Sequence, residues 1–105
     1  MQWDDEILNV ALEMSLEWGH NLTKPINARL IARYPALSEA EATNYDQVCR
    51  EIKSYAFDQI EAAYVQRIPW HEARQSIMGK YPGLSEDSYL RLNSQGHYYA
   101  WRNNG

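Results

Sequence analysis

The sequence predicts an all-α protein, a compact bundle of about five helices that contains a duplicated helix–corner–helix unit. Three observations lead to this prediction. Apolar residues recur at helical spacing along most of the chain. Glycine and proline are few and lie at plausible ends of helices. A seven-residue segment that begins at Arg33 is matched by one that begins at Lys80, 47 positions later.

Length and composition predict one domain over residues 1–105. A chain of 105 residues has the commonest size of a single domain. A domain of this size buries roughly two-thirds of the surface of its unfolded chain. Apolar residues make up 45% of the sequence, and four tryptophans and eight tyrosines supply bulky side chains for a core. We therefore expect a packed core without disulfides or metals.

The cellular compartment is predicted from cysteine usage and from the absence of targeting signals. The single cysteine, Cys49, excludes an internal disulfide and fits a reducing compartment. No apolar run approaches the roughly 20 residues that span a bilayer. The first residues are acidic, whereas a secretory signal begins with basic residues. We expect a cytoplasmic protein that does not associate with membranes.

Charge is distributed unevenly along the chain. Residues 1–20 contain five acidic and no basic residues, a net charge of −5. Residues 21–105 contain nine acidic and ten basic residues, a net charge of +1. Such asymmetry is typical of an interaction surface. The alternative is an acidic helix face that is merely solvated.

Two helices are predicted before residue 35. The first covers residues 3–18, with an apolar stripe on one side and a polar stripe on the other. The apolar stripe consists of Trp3, Ile7, Val10, Met14 and Trp18, and the polar one of Asp5, Asn9, Glu13 and Glu17. Gly19 ends this helix, and residues 20–23 form a loop. The second helix runs from about Lys24 to Arg33, because Pro35 forces Tyr34 out of helical geometry.

A long third helix is predicted from Glu39 to about Gln66. Ser38 is a favourable N-cap, and Glu41 three residues later completes a capping box. Neither glycine nor proline interrupts the segment, although its length permits a bend. The predicted inner stripe is Val48, Ile52, Ala56, Ile60 and Ala63.

Two further helices follow. The fourth begins at Pro69 and ends near Lys80, and its apolar residues are Trp70, Ala73, Ile77 and Met78. The fifth begins after Ser85, a second N-cap. Asn93 to Gly96 can interrupt it, and we expect helix on both sides of that segment.

The repeated segment is the strongest signal in the sequence. Tyr-Pro-x-Leu-Ser-Glu occurs at residues 34–39 and again at 81–86. Apolar positions agree in the same register, for example Leu30 with Ile77 and Ile52 with Tyr99. The predicted repeats cover about residues 24–66 and 69–102. Two copies are too few for a solenoid and favour a pair of helical hairpins. Convergence on a favourable corner sequence is the alternative.

A helix-turn-helix regulator of nucleic acids is one alternative function. In such proteins the second helix presents its first residues to the bases. Acidic residues occupy these positions in both copies, and carboxylates oppose phosphate binding. They are Glu39, Glu41, Asp46, Glu86 and Asp87. The basic strip formed by Lys24, Arg29 and Arg33 is small.

The sequence nominates no metal, cofactor or catalytic residue. His71-Glu72 lacks a second histidine four residues on, where Gln75 stands. Glu17 and His20 form one carboxylate-x-x-His element, but a di-iron bundle needs two. Cys49 lies inside a predicted helix, where a buried structural thiol is the usual case. A small enzyme with a pocket between the hairpins is a second alternative.

The functional hypothesis is a non-enzymatic interaction module, a small acidic adaptor or inhibitor that binds a protein partner with a basic surface. Absent catalytic motifs and the acidic first helix motivate it. The C-terminal segment 97–102 is the densest aromatic cluster, and such residues are enriched at interface hot spots. The alternative for that cluster is burial in the core. The candidate partner-binding residues are Asp5, Glu13, Glu17, Tyr98, Trp101 and Arg102.

Overall fold

The computed structural model describes residues 3–17 and 24–104, and these residues form five α-helices and no strand. The all-α fold class is therefore confirmed. The helices are α1 (Asp5–Ser15), α2 (Asn27–Arg33), α3 (Glu39–Gln66), α4 (Trp70–Lys80) and α5 (Glu86–Asn104). None of the helices in the described ranges is long and apolar enough to cross a membrane. The predictions for Trp18 to Thr23 lie outside the described residues.

The chain divides into two compact units, Met1–Glu51 (unit 1) and Ile52–Gly105 (unit 2). Their boundary falls inside α3, so this helix contributes its first half to unit 1 and its second half to unit 2. Each unit contains one of the two Tyr-Pro-x-Leu-Ser-Glu segments. The extent of one domain over the whole chain stays a prediction.

Helix α1 starts at an aspartate cap. The Asp4 carboxylate accepts a hydrogen bond of 3.1 Å from the backbone N–H of Ile7. Asp5 and Glu6 in the first turn favour the positive end of the helix dipole. The helix ends at Ser15, three residues before the predicted end at Trp18.

The buried face of α1 differs from the predicted stripe. Ile7, Val10 and Met14 are only half-buried. The fully buried side chains are Leu8, Ala11, Leu12 and Ser15. The packed face combines the large side chains of Leu8 and Leu12 with the small ones of Ala11 and Ser15, and it is rotated from the predicted apolar stripe.

Helix α3 is one continuous element with the predicted bounds. Its capping box is present: the Glu41 N–H donates to Ser38 Oγ at 3.1 Å, and the Ser38 N–H donates to Glu41 Oε1 at 3.0 Å. The hydrogen bonds from the backbone and then the side chain of Ser38 lower the pKa of Glu41. Its buried line is Ala42, Tyr45, Cys49, Ile52, Ala56, Ile60 and Ala63, whereas Val48 is half-buried.

The two corners have the same backbone hydrogen bonds. In unit 1 the N–H of Tyr34 donates to Leu30 at 2.8 Å, and the N–H of Leu37 donates to Tyr34 at 3.0 Å. In unit 2 the same bonds join Tyr81 to Ile77 at 2.9 Å and Leu84 to Tyr81 at 3.1 Å. The φ and ψ angles are −129° and 80° at Tyr34, and −126° and 72° at Tyr81.

The helix starts after the corners also correspond. Ser85 Oγ accepts the N–H of Ser88 at 3.1 Å, as Ser38 Oγ accepts the N–H of Glu41. Ser88 has no carboxylate with which to return the bond, so the second corner has the cap without the capping box. The sequence match is therefore accompanied by matching local geometry.

Helix α5 runs without interruption through residues 93–96, contrary to the expectation of a possible gap there. Gly96 is buried, and a Cβ atom at this position would lie 2.6 Å from Ile60 Cδ1 and 3.2 Å from Ile60 Cβ. The close approach of α3 and α5 within unit 2 therefore favours glycine at this position, and the helix is not broken there.

We predict that Ser38→Ala and Ser85→Ala each lower the free energy of unfolding by about 1 kcal/mol, because each hydroxyl satisfies a first-turn N–H. Ile52→Ala should cost ~2–5 kcal/mol, since Ile52 is fully buried. Urea denaturation measures these changes, with the exposed mid-helix Ser54→Ala as the control. Equally small effects at Ser38, Ser85 and Ile52 would contradict the corner and core assignments.

A second prediction compares two glycines inside helices. Gly96→Ala should destabilise the protein, because the added methyl group collides with Ile60. Gly79→Ala should stabilise it by roughly 0.5–1 kcal/mol, since no atom lies within 4 Å of the added Cβ and alanine favours helix. Thermal melting of both variants tests this difference in sign. Stabilisation by Gly96→Ala would show that α3 and α5 do not pack this closely.

Candidate interaction surface

Large apolar side chains are exposed mainly in unit 2. Across residues 3–17 and 24–104, seven large hydrophobic side chains are exposed, and all belong to this unit. They are Tyr64, Val65, Ile68, Trp70, Leu90, Tyr98 and Trp101. Single exposed apolar residues are ordinary, but groups of them are typical of interaction sites. Two groups occur here, one on α5 and one around the corner between α3 and α4.

The group on α5 includes the aromatic pair singled out in the sequence. Tyr98 and Trp101 are 43% and 59% exposed. Their rings lie one helical turn apart with centroids separated by 6.2 Å. The alternative of core burial therefore does not apply to this pair. Arg102 follows directly and is also exposed.

The aromatic pair is anchored to α3 by further rings. Tyr98 lies 5.5 Å from Tyr99, edge to face, and Tyr99 lies 5.5 Å from Phe57 of α3. Tyr99 and Phe57 are half-buried. Ring contacts restrict side-chain rotation. Binding of a partner to Tyr98 and Trp101 therefore costs less side-chain entropy than binding to side chains that rotate freely.

The outer face of α5, defined by Leu90, Arg91, Ser94, Tyr98, Trp101 and Arg102, is exposed and has no acidic residue. No aspartate or glutamate occurs anywhere in residues 88–104. Arg91 has an interaction within the chain. The face is therefore aromatic and weakly positive.

The second apolar group surrounds the corner between α3 and α4. It consists of Tyr64, Val65, Ile68 and Trp70. The residue between them, Arg67, has a φ of 56°, which turns the chain from one helix into the next. Trp70 is one of the apolar residues named for the fourth helix, and it is 53% exposed, whereas Ala73 and Ile77 are buried. Trp70 is the first residue of the helix, and helical spacing alone does not show that the buried face of α4 begins only at Ala73.

Arg74 joins α4 to α5 in unit 2. Its guanidinium donates two hydrogen bonds to the Glu86 carboxylate, one of them 2.7 Å long. It also lies 4.7 Å from the centroid of the Tyr89 ring, on which Trp70 stacks at 6.5 Å. Two parallel bonds and a cation–π contact make this a well-defined ion pair.

The electrostatics of this cluster follow from its geometry. Hydrogen bonds from Arg74, and then its positive charge, lower the pKa of Glu86, and the same hydrogen bonds raise the pKa of Arg74. Burial raises the pKa of Tyr89. All three groups keep their ordinary charge states near neutral pH, so the cluster holds the helices together without a titrating group.

The acidic candidates lie on α1 in unit 1. Asp5, Glu13 and Glu17 are exposed, and within residues 3–17 every fully exposed residue is acidic. Glu17 is in part engaged, because Arg29 Nη1 donates to its carboxylate at 2.8 Å and also to the backbone oxygen of Met14 at 3.4 Å. Because Arg29 is paired with Glu17, its charge is partly neutralised, which weakens the basic strip on which the helix-turn-helix alternative depends.

The candidate residues thus form two separate sets. Asp5, Glu13 and Glu17 belong to unit 1, which has nine acidic and four basic residues, a net charge of −5. Tyr98, Trp101 and Arg102 belong to unit 2, which has five acidic and six basic residues, a net charge of +1. Helical spacing did not indicate the other five exposed apolar residues, which are Tyr64, Val65, Ile68, Trp70 and Leu90.

Metal ions require particular groupings of side chains. In residues 3–17 and 24–104 no three histidine, cysteine, aspartate or glutamate side chains are grouped as a metal ion requires. Cys49 is fully buried. The Glu17–His20 element cannot be followed further, since His20 lies outside the described residues.

Comparisons with protein-family models, with curated protein sequences and with solved structures found no match.

We predict that the Arg74–Glu86 pair makes stability depend on acidity. Since the folded protein holds the pKa of Glu86 below its ordinary value, the contribution is complete above that value and is lost as pH falls through the lowered pKa. Glu86→Gln should therefore destabilise the protein at neutral pH and have less effect in acid. Urea titrations of both proteins at several pH values measure this.

The control for that prediction is the same substitution in an Arg74→Gln background. Without the guanidinium, Glu86→Gln should lose most of its pH-dependent effect, because the two residues act as a pair. An unchanged pH dependence in this background would show that another group lowers the pKa of Glu86.

Proposed function

We propose that this protein is a non-enzymatic interaction module that binds a partner protein through the outer face of α5. The exposed, adjacent rings of Tyr98 and Trp101 are the observation that carries this proposal. Tryptophan, tyrosine and arginine are the residues most enriched at interface hot spots, and Arg102 follows the pair. Tyr98 contacts Tyr99, which in turn contacts Phe57, and the resulting restriction of the Tyr98 ring favours tight binding.

The free energy available from covering the exposed parts of Tyr98 and Trp101 supports the same function. A fully buried aromatic side chain removes about 150–250 Å² from water, and about half of each ring is still accessible here. Covering the remaining roughly 200 Å² contributes on the order of 5 kcal/mol before the costs of association. Two side chains can therefore dominate a modest interface.

The acidic outer side of α1 gives the module a second property. Carboxylates concentrated in one unit attract a partner with a basic surface and speed its approach. Such attraction acts mainly on the association rate, whereas buried aromatic anchors act on the dissociation rate. An adaptor or inhibitor that occupies a basic surface has this combination of features.

We predict that Tyr98→Ala and Trp101→Ala abolish capture of the partner without changing the melting temperature by more than a few degrees, because both side chains are about half exposed. The partner is recovered from the source cells by chemical crosslinking to the purified protein and identified by mass spectrometry. Binding of the purified partner to each variant is then measured by surface plasmon resonance.

The matched control for the aromatic pair is Trp70→Ala. Trp70 is 53% exposed in the same unit but lies in the first turn of α4. We expect normal binding by this variant. Equal losses for Trp70→Ala and Trp101→Ala would point to non-specific apolar adhesion, and a large fall in melting temperature for Trp101→Ala would assign that residue to the core.

A further prediction concerns the charge on α1. Glu13→Lys should lower the association rate of the partner and flatten its salt dependence, while the dissociation rate changes little. The fold should persist, because Glu13 is exposed and a lysine near the C-terminal end of a helix suits its dipole. Glu51→Lys changes the net charge equally from α3 and is the control. Equal effects of both substitutions would mean that only total charge matters.

A further inference from the structure

The outer face of α5 differs in charge from the rest of this acidic protein. The whole chain has a net charge of −4, yet residues 88–104 contain two arginines, one histidine and no carboxylate. Unit 2 has five carboxylates, and all of them lie outside residues 88–104. Glu86 and Asp87 are in the first turn of α5, Asp58 and Glu61 are on α3, and Glu72 is on α4. Glu86 is neutralised by Arg74.

The exposed side chains of this face follow a helical stripe. Leu90, Ser94, Tyr98 and Trp101 are spaced by four, four and three residues and are all exposed. The stripe extends over about 16 Å at the helical rise, the length of three turns. The small Ser94 between Leu90 and Tyr98 permits close approach of another backbone. These dimensions fit an amphipathic helix that lies along α5.

We infer that the outer face of α5 binds an acidic amphipathic segment of the partner, with apolar side chains against Leu90, Tyr98 and Trp101 and carboxylates towards Arg102. This inference rests on the proposed interaction function. Charge complementarity selects the occupant, because residues 88–104 offer arginine beside apolar rings and contain no carboxylate, and the exposed Asp87 lies one turn before Leu90 at the far end from Arg102. The exposed guanidinium of Arg102 can take a carboxylate through two parallel hydrogen bonds.

Arg102 carries the charge recognition in this arrangement. Arg91 already has an interaction within the chain, and charge recognition is therefore assigned to Arg102. One or two arginines suffice for a peptide carboxylate, whereas a nucleic-acid backbone requires a longer row of cations. An acidic peptide is therefore favoured over single-stranded nucleic acid, although both can stack on exposed aromatic rings.

The test is selection of binding peptides from a display library of random 16-residue sequences, with the full-length protein as target. We expect the selected peptides to contain more aspartate and glutamate than lysine and arginine, with apolar residues at spacings of three, four and seven. Trp101→Ala should weaken binding of a selected peptide at least tenfold. Arg102→Glu should weaken it severalfold and remove its salt dependence.

The matched control is Arg67→Glu, which reverses the charge of an exposed arginine of the same unit that is not part of α5 and should leave binding unchanged. Peptides that depend on Trp101 but show no acidic excess would overturn the inference and leave the interaction function in place. Failure to select any peptide that depends on Trp101 would count against both.

Two further measurements test whether single-stranded RNA or a second copy of this chain covers the outer face of α5 instead. A mixed single-stranded RNA of twelve nucleotides that binds at Trp101 more tightly than the selected peptides would overturn the inference. Self-association in light scattering that Trp101→Ala abolishes would also overturn it, since a second copy would then cover the face. Monomeric behaviour and weak RNA binding, together with the acidic peptides, would support it.

Discussion

The rest of the structure depends on the continuous buried line of α3. This helix runs for 28 residues without a break, and its small and apolar residues face inward along the whole length. In unit 1 the line includes Tyr45, whose hydroxyl accepts the N–H of Asp4 at 3.1 Å. In unit 2 it includes Ile60, which lies against Gly96 of α5. Each unit is therefore assembled on its own half of one helix, and a break in α3 would remove the support of both.

Two corners with the same chemistry lead into the long helices. Proline ends each short helix, the tyrosine before it leaves helical geometry, and a serine hydroxyl starts the next helix. The two copies then differ in how charge is used. In unit 1 Glu41 returns a hydrogen bond to its own cap, whereas in unit 2 Glu86 pairs with Arg74 of the preceding helix. A shared local design thus supports different side-chain contacts.

The two units expose different kinds of side chain. Carboxylates dominate the exposed side of α1, and within the described residues large hydrophobic side chains are exposed only on unit 2. Charge acts over roughly a Debye length and mainly affects encounter, whereas rings act only on contact and hold a complex together. The ion pair of Glu17 with Arg29 shows that part of the acidic side also stabilises unit 1. The proposed interaction function uses both surfaces.

Local signals in the sequence determined the helices, because capping, proline geometry and helical spacing act within a few residues. They predicted the bounds of α3 and the cap at Ser38. They did not predict which apolar residues are covered, as the half-buried Val10 and the exposed Trp70 show. They also suggested a break near Gly96, where the helix is in fact continuous and the glycine lies against Ile60. Burial depends on which helices meet and how closely, and only the tertiary structure decides those distances.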